Sequence, residues 1–266
     1  MGVVAARASR AGIVVLAMGL AVTGLGALRA TSAAARPART TAGSAPRVVS
    51  LSFDDGRVSQ RVVDGLLARR HLKGTFYVIS QSVDTGNDPE SLTWAQIHRL
   101  ARHGDEIAGH TRTHPHLPTL PRAAQIDEIC GGRRDLMAQG FRPVSFAYPY
   151  GEYDATTEAV VRSCGYANGR AARGGVETIP PRDRYAIRTL ESVTVSDTAA
   201  ALEAETTAAK PGQWLNYVFH DIGGPTEFHD QYRIDRKDFI AFLDWLGRQR
   251  DSGAVVVRTI GDVLSR

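Results

Sequence analysis

Two aspartates stand side by side at Asp54 and Asp55, behind a β-rich run and in front of Gly56. Adjacent carboxylates repel, and in extended chain consecutive side chains leave on opposite faces. A glycine beside them permits a sharp turn that brings both toward one site. Farther on, His110 and His114 stand four residues apart in the run His110-Thr111-Arg112-Thr113-His114-Pro115. If that run makes one helical turn, the two imidazoles share a face, and Pro115 ends the turn. Two imidazoles and one carboxylate, with positions left for water, are a typical catalytic metal arrangement. Each pattern also has a plain reading. Asp-Asp-Gly is a common strand-to-turn sequence, and the histidines fit a surface pair in a polar loop.

The elements that must carry these residues alternate. Val48 to Phe53 reads as a strand running into Asp54. Further strands are expected over Gly74 to Ser80, Glu106 to Gly109, Val144 to Tyr148, Tyr166 to Ala171, Tyr185 to Val195, Trp214 to His220 and Val255 to Val257. Between them, helical spacing of apolar residues predicts helices over Val58 to Arg70, Thr93 to His103, Arg122 to Gln139, Ala155 to Cys164, Thr198 to Lys210 and Arg236 to Arg250. Thr93 is a plausible N-cap. Repeated strand–helix units predict a parallel sheet with right-handed crossovers. Their number favours a barrel over an open sheet. The expected fold is α/β, a single-domain distorted (β/α) barrel of about seven parallel strands. Barrel chemistry sits at the C-terminal ends of the strands. Asp54-Asp55, His110, Tyr150 and His220 each follow an expected strand.

Taken together, the motifs resemble those of the polysaccharide deacetylase family, carbohydrate esterase family four, over about residues 46 to 264. Ser52-Phe53-Asp54-Asp55-Gly56 matches its first motif and His110 to Pro115 its second. Ala147-Tyr148-Pro149-Tyr150-Gly151 resembles the third, and Val218-Phe219-His220 the fifth; the fourth is not evident. The resemblance implies that Asp55, His110 and His114 hold a divalent metal, most simply Zn2+, with Co2+, Ni2+ or Mn2+ as alternatives. It implies that Asp54 is the general base toward water, that the backbone N–H of Tyr150 donates to the oxyanion, and that His220 is the general acid. One departure matters. The family's commoner third motif has an arginine, orienting the catalytic aspartate, where this chain has Ala147. A substitute cation is required, and Arg170, at the end of an expected strand, is the first candidate, with Arg173 next.

The implied activity is metal-dependent removal of N-acetyl groups from an N-acetylglucosamine-containing polysaccharide, such as chitin-like chains, peptidoglycan or poly-N-acetylglucosamine. O-deacetylation of a xylan-like polysaccharide shares the chemistry. A non-catalytic carbohydrate-binding protein on the same fold, and a glycoside hydrolase with a carboxylate pair, are readings of other kinds. The neighbouring histidines favour metal hydrolysis. Trp94 and Trp214 read as core residues, although one could line the cleft. His71, His98 and His103 read as solvated, His116 as a support for the metal motif, and His229 as part of a loop on the active face.

Composition agrees with a globular domain: hydrophobic residues make up 43% and charged residues 23%. The formal charge is +4. Residues 1–35 hold Arg7, Arg10 and Arg29 and no acid, so the remainder carries +1. That balance gives no case for a nucleic-acid partner. Residues 1–35 read as a signal peptide, with basic n-region, apolar stretch and Ala33-Ala34-Ala35 cleavage site, or else as an N-terminal anchor, the one expected membrane contact. Residues 36–46 read as a flexible leader and 47–266 as the deacetylase domain. The expected protein is secreted or associated with the cell envelope and monomeric. Export permits a disulfide, but sequence alone does not bring Cys130 and Cys164 within bonding distance.

Overall fold

Alternation along the first strand sets the architecture. The computed structural model describes residues 45–84, 90–224 and 231–265. The expected signal peptide, most of the leader and His229 lie outside the described residues. In β1 (Arg47–Phe53), Val49, Leu51 and Phe53 enter a large apolar core with Phe239, Phe242 and Leu246. The alternate residues Ser50 and Ser52 face the other way, into the barrel. There the Ser52 hydroxyl donates to Asn216 Oδ1 (2.7 Å) and Trp214 Nε1 donates to Ser50 Oγ (3.0 Å). The same period of two runs through β2 (Thr75–Val78), β3 (Glu106–Gly109) and β4 (Ser145–Ala147). Phe76, Ile107 and Phe146 pack outward, while Tyr77, Ala108 and Ala147 share an interior cluster with Trp214.

β1 to β4 pair in sequence order with β5 (Asn168–Gly174) and β6 (Ile187–Thr189), all parallel. β7 (Trp214–Phe219) returns to lie parallel along β1, Val48 to Phe53 against Trp214 to Phe219. The ring closes where Leu190 N donates to Asn216 O (3.1 Å) and Val193 N to Val218 O (2.9 Å). Seven parallel strands thus make the distorted (β/α) barrel. Two short strands, β8 (Asp221–Ile222) and β9 (Arg233–Ile234), pair beside the rim. An eighth strand of the main sheet, β10 (Val255–Val257), runs along the start of β1. β8, β9 and a terminal helix were not expected: elements of two to five residues carry no measurable period.

The helices are α1 (Val63–Ala68), α2 (Trp94–Arg102), α3 (Arg122–Ala138), α4 (Ala155–Ser163), α5 (Ala199–Ala208), α6 (Arg236–Asp251) and α7 (Ile260–Leu264). Thr93 caps α2 in a full capping box with Gln96. The expected helix from Val58 starts instead as a 3-10 turn, Val58–Val62. There the buried Gln60 donates to the carbonyls of Asp54 (2.6 Å) and His220 (3.0 Å), tying two strand ends together. Among the described residues, no helix is long and apolar enough to cross a membrane.

α3 and α4 are joined by a Cys130–Cys164 disulfide, with Cα atoms 4.9 Å apart. α3 lies directly against the His110–His114 loop. A Cβ built at Gly132 would stand 2.9 Å from the carbonyl carbon of Thr111, so only glycine allows this approach. Two of the histidines expected to be solvated are partly engaged. His103 Nδ1 contacts the buried carboxylate of Asp64, and the His98 ring lies 4.6 Å from that of Phe141.

A second buried carboxylate, Asp105, accepts a hydrogen bond from Gly74 N (2.8 Å). Burial raises its pKa to about 7, and the Asp64 charge adds to this, against the Gly74 bond, His103 and Lys73. Its folded-state pKa therefore exceeds the ordinary 3.8. Between those values the folded state holds the proton more tightly than the unfolded chain, so this group's contribution to stability falls as pH rises from about 4 to 7. Asp105→Asn removes that titration. The variant is expected to show a smaller drop in Tm between pH 5 and pH 8 than the parent in thermal scans. An equal drop would show that Asp105 is ionised throughout.

Candidate active site

The two aspartates at the end of β1 do not follow strand alternation. Asp55 itself takes a left-handed backbone conformation (φ 69°), and Gly56 follows at φ 66°. The turn was expected to rest on the glycine; the structure begins it one residue earlier, at a residue type that tolerates this region. Both carboxylates then line one cleft of about 810 Å3, together with His110, His114, Tyr150 and His220.

The His110–His114 run also differs from expectation. It forms no helical turn; Thr111 and His114 are left-handed, at φ 67° and 63°. Each such residue costs about 1–3 kcal/mol, and the surroundings hold them in place. Thr111 Oγ1 accepts from His114 N (2.9 Å). Glu128 of α3 accepts from the backbone N–H groups of Arg112 (3.0 Å) and Thr113 (2.9 Å) and from the Thr113 hydroxyl (2.8 Å).

Three donor atoms converge as a result. His110 Nε2 and His114 Nε2 are 3.1 Å apart and lie 3.5 and 3.6 Å from Asp55 Oδ1. Donors about 2.0–2.2 Å from one tetrahedral ion stand roughly 3.3–3.6 Å from each other, so the spacing fits a divalent metal. Asp55 Oδ1 is buried without a hydrogen-bond donor, as a ligand atom would be. His110 Nδ1 contacts the Ala147 carbonyl at 2.8 Å. A proton on Nδ1 donates there and leaves the Nε2 lone pair facing Asp55. Burial, with the neighbouring His110, pushes the His114 pKa down to about 4, so its imidazole is neutral at pH 7. Burial alone would raise the Asp55 carboxyl, but the surrounding imidazoles, His110 first, hold it well below the usual carboxylate range. The ionised Asp55 and the neutral His114 are in the states that metal ligation needs. Arg57, not singled out from the sequence, places Nε 3.1 Å from the outer oxygen Asp55 Oδ2. A cation directly behind Asp-Asp-Gly was the available signal.

Asp54 stands apart from this triad. Its Oδ1 receives Arg170 Nη2 at 2.5 Å. Arg170 is fully buried, its guanidinium carbon 4.5 Å from the centre of the Tyr77 ring and its Nη1 donating to Ala171 O (2.9 Å). Arg170, not Arg173, makes this contact. On the sheet, Arg170 is the register partner of Ala147, the position where an arginine was missing. The cation stands one strand over from Ala147, at the same height of the barrel. Tyr77 was also not foreseen, although its inward position on β2 follows from alternation.

Tyr150 has φ 59° and is half exposed. Its ring stands edge-on to His114 at 4.5 Å and stacks on His116 at 4.0 Å, while His116 Nδ1 contacts Glu152 at 2.8 Å. His220 follows β7 and lies 5.3 Å, ring to ring, from Tyr232. Neither Trp94 nor Trp214 is among the residues lining the cleft. Trp214 is fully buried inside the barrel, and Trp94 packs near Phe141.

Residues 42–169 match the model of the polysaccharide deacetylase family. The matched stretch holds Asp54, Asp55, His110, His114 and Tyr150, whereas Arg170 and His220 fall beyond it. A curated chitooligosaccharide deacetylase from Bradyrhizobium sp. (strain ANU 289) is 32% identical over 129 residues, 47% of this chain and 55% of that protein. The chain thus spans about half the length of the curated relative it matches. Two solved structures share the fold. One is the Xyl-CE4 domain of a multidomain xylanase from the hindgut metagenome of Trinervitermes trinervoides. It has a TM-score of 0.59 and 19% identity over 83% of this chain and 90% of that one. The other is a family 4 acetyl xylan esterase from Clostridium thermocellum in complex with a cobalt ion, with a TM-score of 0.57 and 19% identity over 82% and 90%. Residues 42–169 are thus similar in sequence to the polysaccharide deacetylase family, and the barrel shares its fold with both solved structures.

Proposed function

We propose that the protein is a secreted, divalent-metal-dependent deacetylase that hydrolyses the N-acetyl groups of an N-acetylglucosamine-containing polysaccharide. The observation that carries this reading is the division of labour between adjacent carboxylates. Asp55 faces two imidazoles at ligand spacing, while Asp54 is kept out of that set by Arg170. A protein that only bound glycan would have no use for a second, unligated carboxylate clamped beside a metal triad. The curated chitooligosaccharide deacetylase favours an amide of an amino sugar over an acetate ester.

Asp55, His110 and His114 would hold the ion. Zinc suits two imidazoles and one carboxylate, and the cobalt in the Clostridium esterase supports a divalent ion generally. Such an ion lowers the pKa of a water and polarises the acetyl carbonyl. Asp54 takes the proton of the attacking water as general base. Arg170 fixes the carboxylate in one orientation through a charge-assisted bond. The Tyr150 N–H donates to the oxygen on which negative charge develops, an interaction typically worth about 3–4 kcal/mol. His220 delivers a proton to the departing amine nitrogen. The basic, apolar start of the chain and the Cys130–Cys164 bond both support export to an oxidising compartment.

Three outcomes are expected. Incubation with N-acetylglucosamine oligomers should release acetate with one new amine per acetate, stop on chelation and resume with zinc. Acetate from acetylated xylan with no new amine would replace the amide by the ester, and activity untouched by exhaustive chelation would remove the metal from the mechanism. Arg170→Ala should lower kcat roughly 10^2-fold or more while zinc content stays at one ion per chain; unchanged turnover would exclude Arg170. Emptying one side of a buried pair costs about 3–5 kcal/mol, so Tm is followed alongside, with Arg170→Lys as the milder change. N-terminal sequencing of the exported protein should begin after Ala35; a start at the first residues would favour an anchor.

A further inference from the structure

The guanidinium of Arg170 is held by its edge. Its N–H groups all point outward in one plane. There Nη2 meets Asp54 Oδ1 at 2.5 Å and Nη1 donates to Ala171 O at 2.9 Å. Contacts made within that plane do not set the tilt of the plane itself. Arg170 is fully buried, so its tilt is set by what packs against its faces. The Tyr77 ring packs there, with the guanidinium carbon 4.5 Å from the ring centre.

The barrel brings these two side chains together from strands that do not pair. Tyr77 lies on β2, one residue beyond the Phe53–Phe76 register pair and so beside Asp54, whereas Arg170 comes from β5. The strands between them, β3 and β4, contribute Ala108 and Ala147 to the same interior cluster. Those small side chains leave room for a ring and a guanidinium to meet. Tyr77 is itself fully buried, and its hydroxyl has no hydrogen-bond partner, so the ring is what it offers to Arg170. Burial holds that hydroxyl well above its usual pKa range, against the pull of the Arg170 charge, so the ring is neutral. Its attraction for the cation is that of an aromatic face, which is strongest where water is excluded. The His110 ring stands 6.4 Å from the same ring, tilted by 59°. Tyr77 thus adjoins both the clamp on Asp54 and the histidine pair. A change at Tyr77 can act on either, and zinc content tells which.

We propose that Tyr77 is a positioning residue for the reaction: its ring face sets the plane of the Arg170 guanidinium and, through it, the orientation of the Asp54 carboxylate. This role rests on the deacetylase reading, and two measurements separate the two. In the first, kcat and KM for acetate release from N-acetylglucosamine oligomers are compared. Tyr77→Phe keeps the ring and should match the parent. Tyr77→Leu and the more pliable Tyr77→Met should lose about tenfold in kcat, with KM and zinc content unchanged. On an Arg170→Ala background, Tyr77→Leu should cost nothing further, because a residue acting through Arg170 has nothing left to act on. Unchanged kcat in the Leu and Met variants, an equal loss in Tyr77→Phe, a full additional loss on the Arg170→Ala background, or loss of zinc would each overturn the proposal. In the second, crystal structures of the parent and the variants are compared. The contact of Arg170 Nη2 with Asp54 should persist in Tyr77→Phe and open in Tyr77→Leu and Tyr77→Met. An Arg170 that stays in place without the ring overturns the positioning role whatever the activity. That readout needs no turnover, so absence of acetate release by the zinc-loaded parent would sink the deacetylase reading alone.

Discussion

Two carboxylates on consecutive residues, both facing one cleft, are an electrostatic problem that the chain has to solve before any chemistry is possible. Burial disfavours each charge, and each disfavours the other. The structure answers with separate partners for the two. Asp54 receives a buried guanidinium from across the barrel, and Asp55 receives two imidazoles and the nearby Arg57. The different partners make the neighbours chemically unequal: Asp55 lies at ligand spacing from two imidazoles, and Asp54 is held by a guanidinium.

Much of the barrel serves that arrangement. Its interior holds polar groups at the level of the site, where Arg170, Ser52 and Asn216 are buried along with Tyr77 and Trp214. Buried polar groups of this kind are tolerable only when paired, and these pairings cross from strand to strand, so they fix the heights of the strands as well as their side chains. Gln60 does the same at the rim, holding the ends of β1 and β7 through their carbonyls. On the outside, α3 braces the histidine loop with Glu128 and is itself tied to α4 by the disulfide. The left-handed residues of the site are kept in place by this surrounding structure and not by local preference.

The displaced arginine shows how such a site tolerates change. Ala147 and Arg170 sit opposite each other in register on neighbouring strands. Both positions point into the barrel at one height, so a long side chain from either can reach the end of β1. In this chain the cation at Asp54 comes from β5.

Some of this was legible in the chain itself. β-rich and apolar runs alternating with helical spacing marked the seven barrel strands and most helices, because strands and helices bury their apolar residues in different patterns. Asp54, Asp55, His110 and His114 were legible because their types and spacing are rare together, and Arg170 because a missing charge has to be supplied. The sequence could not show that Asp55 begins the turn, that the histidine run is a loop with two left-handed residues, or that Cys130 meets Cys164. Nor could it reveal Tyr77 and Gly132 as neighbours of the site. Those features depend on contacts between segments far apart in the chain. Such contacts carry no local period and were decided only when the strands closed into a barrel and α3 settled against the loop.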